Sequence, residues 1–289
     1  MNFGIVHLSA IPLRSSASDK SEMVSQLLFG EMVEILEKKG KKWFKVRCLW
    51  DNYLGWVSSS QIQRITREEY ENYHSHYAYS FELMQPAVTG SHFLPLTLGA
   101  VLRQYDGLQF QLNGNAYQFS GQVIHPEHQK SSTELLIKVA RRYLFAPYLW
   151  GGRSPFGVDC SGFTQMVFKI AANFPLPRDA YQQVEQGELI DFFEQALPGD
   201  LIFFENTKGT IHHVGILIAE DRIIHASGQV RIDKLDHFGI FNEELKSYTH
   251  KLRVIKRVLP ELHSPEEDTR EEKPESKAST QSISLAEGS

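Results

Sequence analysis

The sequence predicts an α+β fold in which two small β-barrels precede a domain of helices packed on an antiparallel sheet. Three observations predict it. Residues 1 to 64 hold short runs that alternate or cluster apolar side chains between Lys, Gly and Asn turns: Val33-Glu34-Ile35-Leu36, Trp43 to Cys48, and Gly55-Trp56-Val57. That pattern suits a small barrel. Phe163, Met166, Val167, Ile170, Ala171 and Phe174 recur at α-helical spacing. His212 to Ile218 and Arg222 to Ala226 flank the polar Ala219-Glu220-Asp221, a hairpin pattern.

The other elements follow in chain order. Thr66-Arg67-Glu68-Glu69 is a capping-box sequence and opens a short polar helix ending near Tyr77, so residues 65–78 read as a linker. Residues 79–128 predict a second, divergent barrel with strands at Leu94 to Leu98, Ala100 to Tyr105 and Ala116 to Val123. Ser131-Ser132-Thr133-Glu134 is a second capping box. It starts a helix with Leu135, Leu136, Val139, Ala140 and Tyr143 on one side, and opens the domain 129–262. Leu201 to Phe204, the hairpin, and Leu252 to Ile255 supply that domain's sheet. In the tail, 263–289, Ser, Glu, Lys and Pro dominate and aromatics vanish, so disorder is expected there.

Composition excludes several classes. The net charge is −5, and the tail alone carries seven acidic and three basic residues, so no nucleic-acid partner is expected. Cys48 and Cys160 are the only cysteines, which excludes a disulfide scaffold or a CxxC metal site, and no metal or cofactor is expected. Cys48, in a strand-like alternation, reads as a small core residue. No run is long and apolar enough to span a membrane, and no membrane partner is expected. Met1 to His7 lacks a basic n-region and an apolar h-region. The expectation is a cytoplasmic protein, or an exported one if Met1 replaces a removed signal.

The chemistry centres on Cys160. It follows a Gly/Pro-rich loop, Trp150-Gly151-Gly152-Arg153-Ser154-Pro155, and stands at a helix start. The unsatisfied N–H groups and dipole there favour thiolate, the nucleophilic form. A three-residue hairpin loop at Ala219-Glu220-Asp221 sets Gly215 opposite His225 and makes His213 its diagonal neighbour on the same face. Two adjacent imidazoles suit a base and its orienting partner. An even-length loop separates them, and His212 faces away in this register. Gly151 and Gly152 fit close backbone approach or positive φ. Trp150 reads as a core anchor.

Asp159-Cys160-Ser161-Gly162-Phe163, His213-Val214-Gly215-Ile216 and the later His225 resemble the NlpC family of bacterial cell-wall cysteine peptidases. Tyr148, Trp150-Gly151-Gly152, Pro177-Arg178-Asp179 and Pro198-Gly199-Asp200-Leu201 extend the resemblance over about Ser131 to Leu259. Leu13-Arg14, Gly30-Glu31 and Gly55-Trp56-Val57 resemble a bacterial SH3-like domain. The combination is most similar to γ-D-glutamyl-L-diamino acid endopeptidases. It implies a papain-like catalytic domain preceded by two SH3-like barrels.

The resemblance implies roles. Cys160 is the nucleophile, His213 the base and His225 its orienting group; Tyr148 stands near an oxyanion site that includes the Cys160 N–H. Asp159 binds the free amino group of an N-terminal L-Ala, helped by Tyr53 and a glutamate, Glu22 or its rival Glu31. Ser161 touches the substrate backbone. Arg178 and Asp179 are substrate-binding candidates or else a surface ion pair. The implied partners are murein-derived L-Ala-γ-D-Glu-diamino acid peptides. The competing functions are a secreted hydrolase tethered to intact wall, a non-catalytic wall-binding module, and a transglutaminase or amidase on the same fold.

Overall fold

The computed structural model describes residues 2–112, 114–128 and 130–263. The tail expected to be disordered falls, from residue 264 on, outside the described residues. Its first residue, His263, ends a 3-10 turn over Pro260–His263.

The first unit is one seven-stranded antiparallel sheet. Its strands are β1 (Phe3–Val6), β2 (Ala10–Arg14), β3 (Met23–Leu28), β4 (Met32–Lys39), β5 (Trp43–Cys48), β6 (Leu54–Ser58) and β7 (Ile62–Ile65), ordered β3-β2-β6-β5-β4-β1-β7. Alternate residues such as Ile11 and Leu13, or Trp43 to Cys48 in part, point to a core that includes Val6, Val33, Val46, Cys48 and Val57. Helix α1 (Arg67–Ser75) carries the expected capping box, with Thr66 and Glu69 each accepting the other's backbone N–H.

The second unit begins at Tyr77, inside the segment read as linker. It has two sheets. One joins β8 (Tyr77–Ser80), β11 (Val101–Arg103) and β14 (Val123–Ile124); the other joins β9 (Met84–Thr89), β10 (His92–Thr97), β12 (Gln109–Leu112) and β13 (Asn115–Gln118). They share a core of Leu96, Leu102, Phe110 and Phe119. Sequence reasoning missed β8, β9 and β12. In β9 the obscuring residue is Pro86, which pairs with Pro95 of β10. Proline cannot donate to a ladder, so a proline-bearing run reads as loop.

The third unit starts with α2 (Thr133–Arg142). Its cap is Ser132, one residue later than the capping box predicts, and Ser132 accepts the N–H of Leu135. The short strands β15 (Arg153–Ser154) and β16 (Gly157–Val158) lead to α3 (Cys160–Ala172) and α4 (Ala180–Gln183). Then come β17 (Glu188–Ile190), β18 (Leu201–Glu205), β19 (Ile211–Ala219), β20 (Arg222–Ser227), β21 (Gln229–Asp236), β22 (Gly239–Asn242) and β23 (Ser247–Arg257). Because β23 pairs with both β18 and β22, strands β18 to β23 close into a barrel.

The run Leu201-Ile202-Phe203-Phe204 is continuously apolar because both faces are buried. Leu201 and Phe203 pack with Val214, Ile216 and the α3 residues Phe163 and Val167. Ile202 and Phe204 pack with Leu217, Ile223 and Ile255 in a separate core. Helix α3 is buried along nearly its whole length, including the polar Gln165 and Lys169. It docks on the barrel and on both N-terminal units, meeting the first through Lys169 and Glu31 and the second where Met166 lies against Gly99.

Candidate active site

Two hairpin strands and one helix start build the site. Gly215 pairs with His225, as the sequence predicts, but by another route. The turn has two residues, Glu220 and Asp221, because Ala219 pairs with Arg222. One extra residue between Leu217 and Ala219 forms a bulge that restores the odd register. His213 and His225 therefore share a face, and His213 Nε2 lies 2.9 Å from His225 Nδ1. Gly215 stands between them. A Cβ there would come within 2.9 Å of the His225 Cβ and 2.7 Å of Ile223.

The chain of polar contacts runs further than the sequence revealed. His225 Nε2 lies 2.9 Å from Asp233 Oδ2, and Arg231 holds both Asp233 oxygens at 2.7 and 2.9 Å. Asp233 is opposite Ile223 on the next strand, so its face is set by the sheet. Nothing in the alternation of β21 marked it in advance. The ring of His250 stacks on that of His213, with centroids 4.2 Å apart. Burial holds His213 well below the ordinary imidazole range, and the neighbouring His225 and His250 add to this.

Cys160 opens α3, with its sulfur against the backbone N–H groups of Val214 and Ser161. The helix start does not leave it as a thiolate. Burial, and then the charge of Asp159, push the thiol up to about 12. Asp159 is the helix cap: its Oδ1 accepts the Gly162 N–H at 2.7 Å and its Oδ2 the Gly151 N–H at 2.8 Å. The residue that satisfies the helix N-terminus therefore also sets a negative charge beside the sulfur. Gly151 has φ 78° and packs on the first unit, where a Cβ would meet the Met23 carbonyl oxygen at 2.3 Å.

Arg178 and Asp179 are not a surface ion pair. Arg178 is buried and grips both Asp159 oxygens, at 3.0 and 2.6 Å, as well as the hydroxyls of Ser161 and Ser25. Asp159 is thus an already paired carboxylate. Asp179 instead accepts from the Tyr53 hydroxyl at 3.1 Å, and burial raises its pKa.

A pocket of about 580 Å³ lies between the first and third units. Glu22, Val24 and Tyr53 line it from the first; Tyr148, Trp150, Asp159, Ser161 and Asp179 line it from the third. Trp150 is no core anchor: it is 60 % exposed and its Nε1 donates to Glu22 Oε1 at 2.7 Å. Tyr148 is raised to about 12 by burial and by Cys160 and Asp159. Glu31 lies elsewhere, buried between the units, where Arg153 and Lys169 both bind it. Burial alone would raise Glu31, but those two cations bring it down to about 2. Neither Glu22 nor Asp179 is paired with a cation among the described residues. Three carboxylates and one guanidinium thus surround a pocket beside a thiol. Among the described residues no cluster of His, Cys, Asp or Glu is placed to hold a metal ion.

Residues 146–249 match the NlpC/P60 family, and residues 13–62 match the bacterial dipeptidyl-peptidase SH3 domain. A γ-D-glutamyl-L-lysine dipeptidyl-peptidase of Bacillus subtilis is 29% identical over 221 residues, 70% of this chain and 71% of that protein. A probable endopeptidase of Haemophilus influenzae is 37% identical over 119 residues, 41% of this chain and 71% of that protein. The crystal structure of an NlpC/P60 family protein from Bacillus cereus superposes with a TM-score of 0.75 at 22% identity, covering 89% of this chain and 100% of that one. The chain belongs to the NlpC/P60 family of cysteine peptidases, with a papain-like catalytic domain behind an N-terminal bacterial SH3 domain.

Proposed function

We propose that this chain is an endopeptidase that hydrolyses the γ-D-Glu–diamino acid bond of murein peptides whose N-terminal L-Ala is free, acting in the cytoplasm on peptides released by wall turnover. The pocket carries this reading. Glu22, Asp159 and Asp179 outnumber the one guanidinium, Arg178, so the cavity has an unbalanced negative charge in a half-closed space. Asp159 already has Arg178, while the exposed Glu22 and half-buried Asp179 have no cationic partner among the described residues. The ammonium of a short peptide supplies one. The first unit contributes Glu22, Val24 and Tyr53 to the wall of this pocket. The second unit, 79–128, is read here as a divergent SH3-like barrel that supports the first.

The reaction follows from the hydrogen-bond chain. The Asp233 carboxylate only accepts, so His225 carries its proton on Nε2 and presents the Nδ1 lone pair. His213 must then donate from Nε2, which leaves its Nδ1 lone pair to take a proton. Burial disfavours the charged form of both the thiol and the imidazole. As the sulfur attacks the γ-carbonyl carbon, His213 takes the thiol proton. The oxyanion forms beside the Cys160 N–H, with Tyr148 nearby. Collapse breaks the C–N bond, and His213 returns the proton to the leaving amine. Water, deprotonated by His213, then hydrolyses the thioester and frees the thiol.

Mass spectrometry of products from L-Ala-γ-D-Glu-diamino acid peptides, with and without N-terminal acetylation, tests this. The free peptide is cut at the γ-D-Glu bond, Cys160→Ala cuts nothing, and acetylation lowers kcat/KM by about 10²-fold or more, the loss of a desolvated charge pair. Equal cleavage of both peptides would overturn the closed amine pocket and favour a wall-tethered hydrolase.

A further inference from the structure

His212 lines two cavities. One is the amine pocket; the other is an open groove of about 1000 Å³ on the far side. Its wall includes His250, the ring stacked on His213. His213 lines neither cavity, and the wall of the groove lies one stacked ring away from it. The acyl half of the substrate occupies the amine pocket, so the leaving half emerges into this groove.

The two cavities differ in charge: three carboxylates line the first, while one carboxylate and one ammonium line the groove. Glu205 is the one carboxylate lining the groove, and it is already bound by Lys251 at 2.6 Å and Arg253 at 3.4 Å. Lys251 also lines the groove, with its side chain 74% exposed, so ammonium hydrogens remain free for a ligand. His212, His237 and His250 add ring N–H groups, and Phe238 and Tyr248 offer apolar surface. Burial lowers His250 to about 4, so it meets a ligand as a neutral donor. A peptide laid across both cavities is matched by an ammonium at one end and a carboxylate at the other.

Resting on the endopeptidase reading above, we infer that the groove walled by His250 and Lys251 is the subsite for the leaving diamino acid, and that it takes a side chain ending in a carboxylate-bearing carbon in preference to one ending in a bare ammonium. Diaminopimelate is of the first kind and lysine of the second. The aliphatic stem lies along Phe238 and Tyr248, and the distal carboxylate meets Lys251.

The test compares two peptides, L-Ala-γ-D-Glu-diaminopimelate and L-Ala-γ-D-Glu-L-lysine, each amidated at the α-carboxyl so that only the side chain differs. The wild-type enzyme cuts the diaminopimelate peptide with a kcat/KM roughly fivefold higher, the scale of an exposed ion pair. Lys251→Ala removes that preference and leaves the lysine peptide within about twofold of wild type. Lys251→Arg restores the preference. Equal rates in the wild type, or a preference that survives Lys251→Ala, would overturn the groove's assignment. If neither peptide is cut, the endopeptidase reading itself falls, and the assignment with it.

Discussion

The proton relay and the amine pocket meet at Cys160 but are assembled in different ways. The relay of His213, His225 and Asp233 lies on three consecutive strands, β19 to β21, and its partners are fixed by sheet register. The pocket draws Glu22 and Tyr53 from the first unit and Asp159 and Asp179 from the third. Its shape depends on how the units dock. That docking rests on a buried cluster in which Glu31 binds Arg153 and Lys169, while Arg153 also binds Gln26 and Arg103 binds the Gly30 carbonyl. The lesson is a difference in assembly: the histidine relay is local to one barrel, and the pocket belongs to an interface.

Changes in the relay are expected to move kcat alone, and changes at the interface to move stability and selectivity. The largest effect is expected for Asp233→Asn. An amide no longer enforces a proton on His225 Nε2, so kcat falls by about 10²–10⁴ while KM stays near wild type. Steady-state kinetics checks this. A rise in KM at constant kcat would place Asp233 outside the relay.

Next is Glu31→Gln, which leaves Lys169 and Arg153 buried with a weaker partner and costs about 3–5 kcal/mol of stability in denaturant unfolding. The same group sets an acid limit. Glu31 is lowered from its ordinary value of 4.5 to about 2, so its contribution is whole above pH 4.5 and fades as the pH falls toward 2. Lys169 is lowered as well, to about 8, because burial outweighs the attraction of Glu31. Wild-type unfolding free energy measured between pH 6 and 2.5 should fall more steeply than that of Glu31→Gln. Parallel curves would remove Glu31 from the acid response.

The smallest effect is Tyr53→Phe. It deletes the hydroxyl that Asp179 accepts, worth about 0.5–1.5 kcal/mol. Cleavage of a free-amine peptide falls by roughly two- to tenfold in kcat/KM, and that of its acetylated form does not change. An equal loss on both peptides would show that Tyr53 shapes the cleft without reading the amine.

Much of the relay was legible because it obeys short-range periodicity. The spacing of Phe163 to Ala171 marked α3, and the polar turn after Ile218 marked the hairpin. Even there the turn has two residues, and a bulge in place of the third restores the face shared by His213 and His225. The helix-start argument for a thiolate was incomplete, since the cap that satisfies the helix is itself an anion. The second barrel was half legible: Pro86 obscured β9, and β8 and β12, four residues each, are too short to show a pattern.

Local pattern by itself determined the main helices, the existence of the β19–β20 hairpin, and which cysteine stands at a helix start. A few residues suffice for those decisions, because they follow from backbone geometry and side-chain alternation. Tertiary structure alone decided the partners of the charges. It chose Arg178 for Asp159, Arg231 and His225 for Asp233, and Trp150 for Glu22, and it sent Glu31 into the interface and Glu22 to the pocket. A charged side chain has no periodicity that names its partner. Burial forces it to find one, and which one it meets depends on how distant segments close around it.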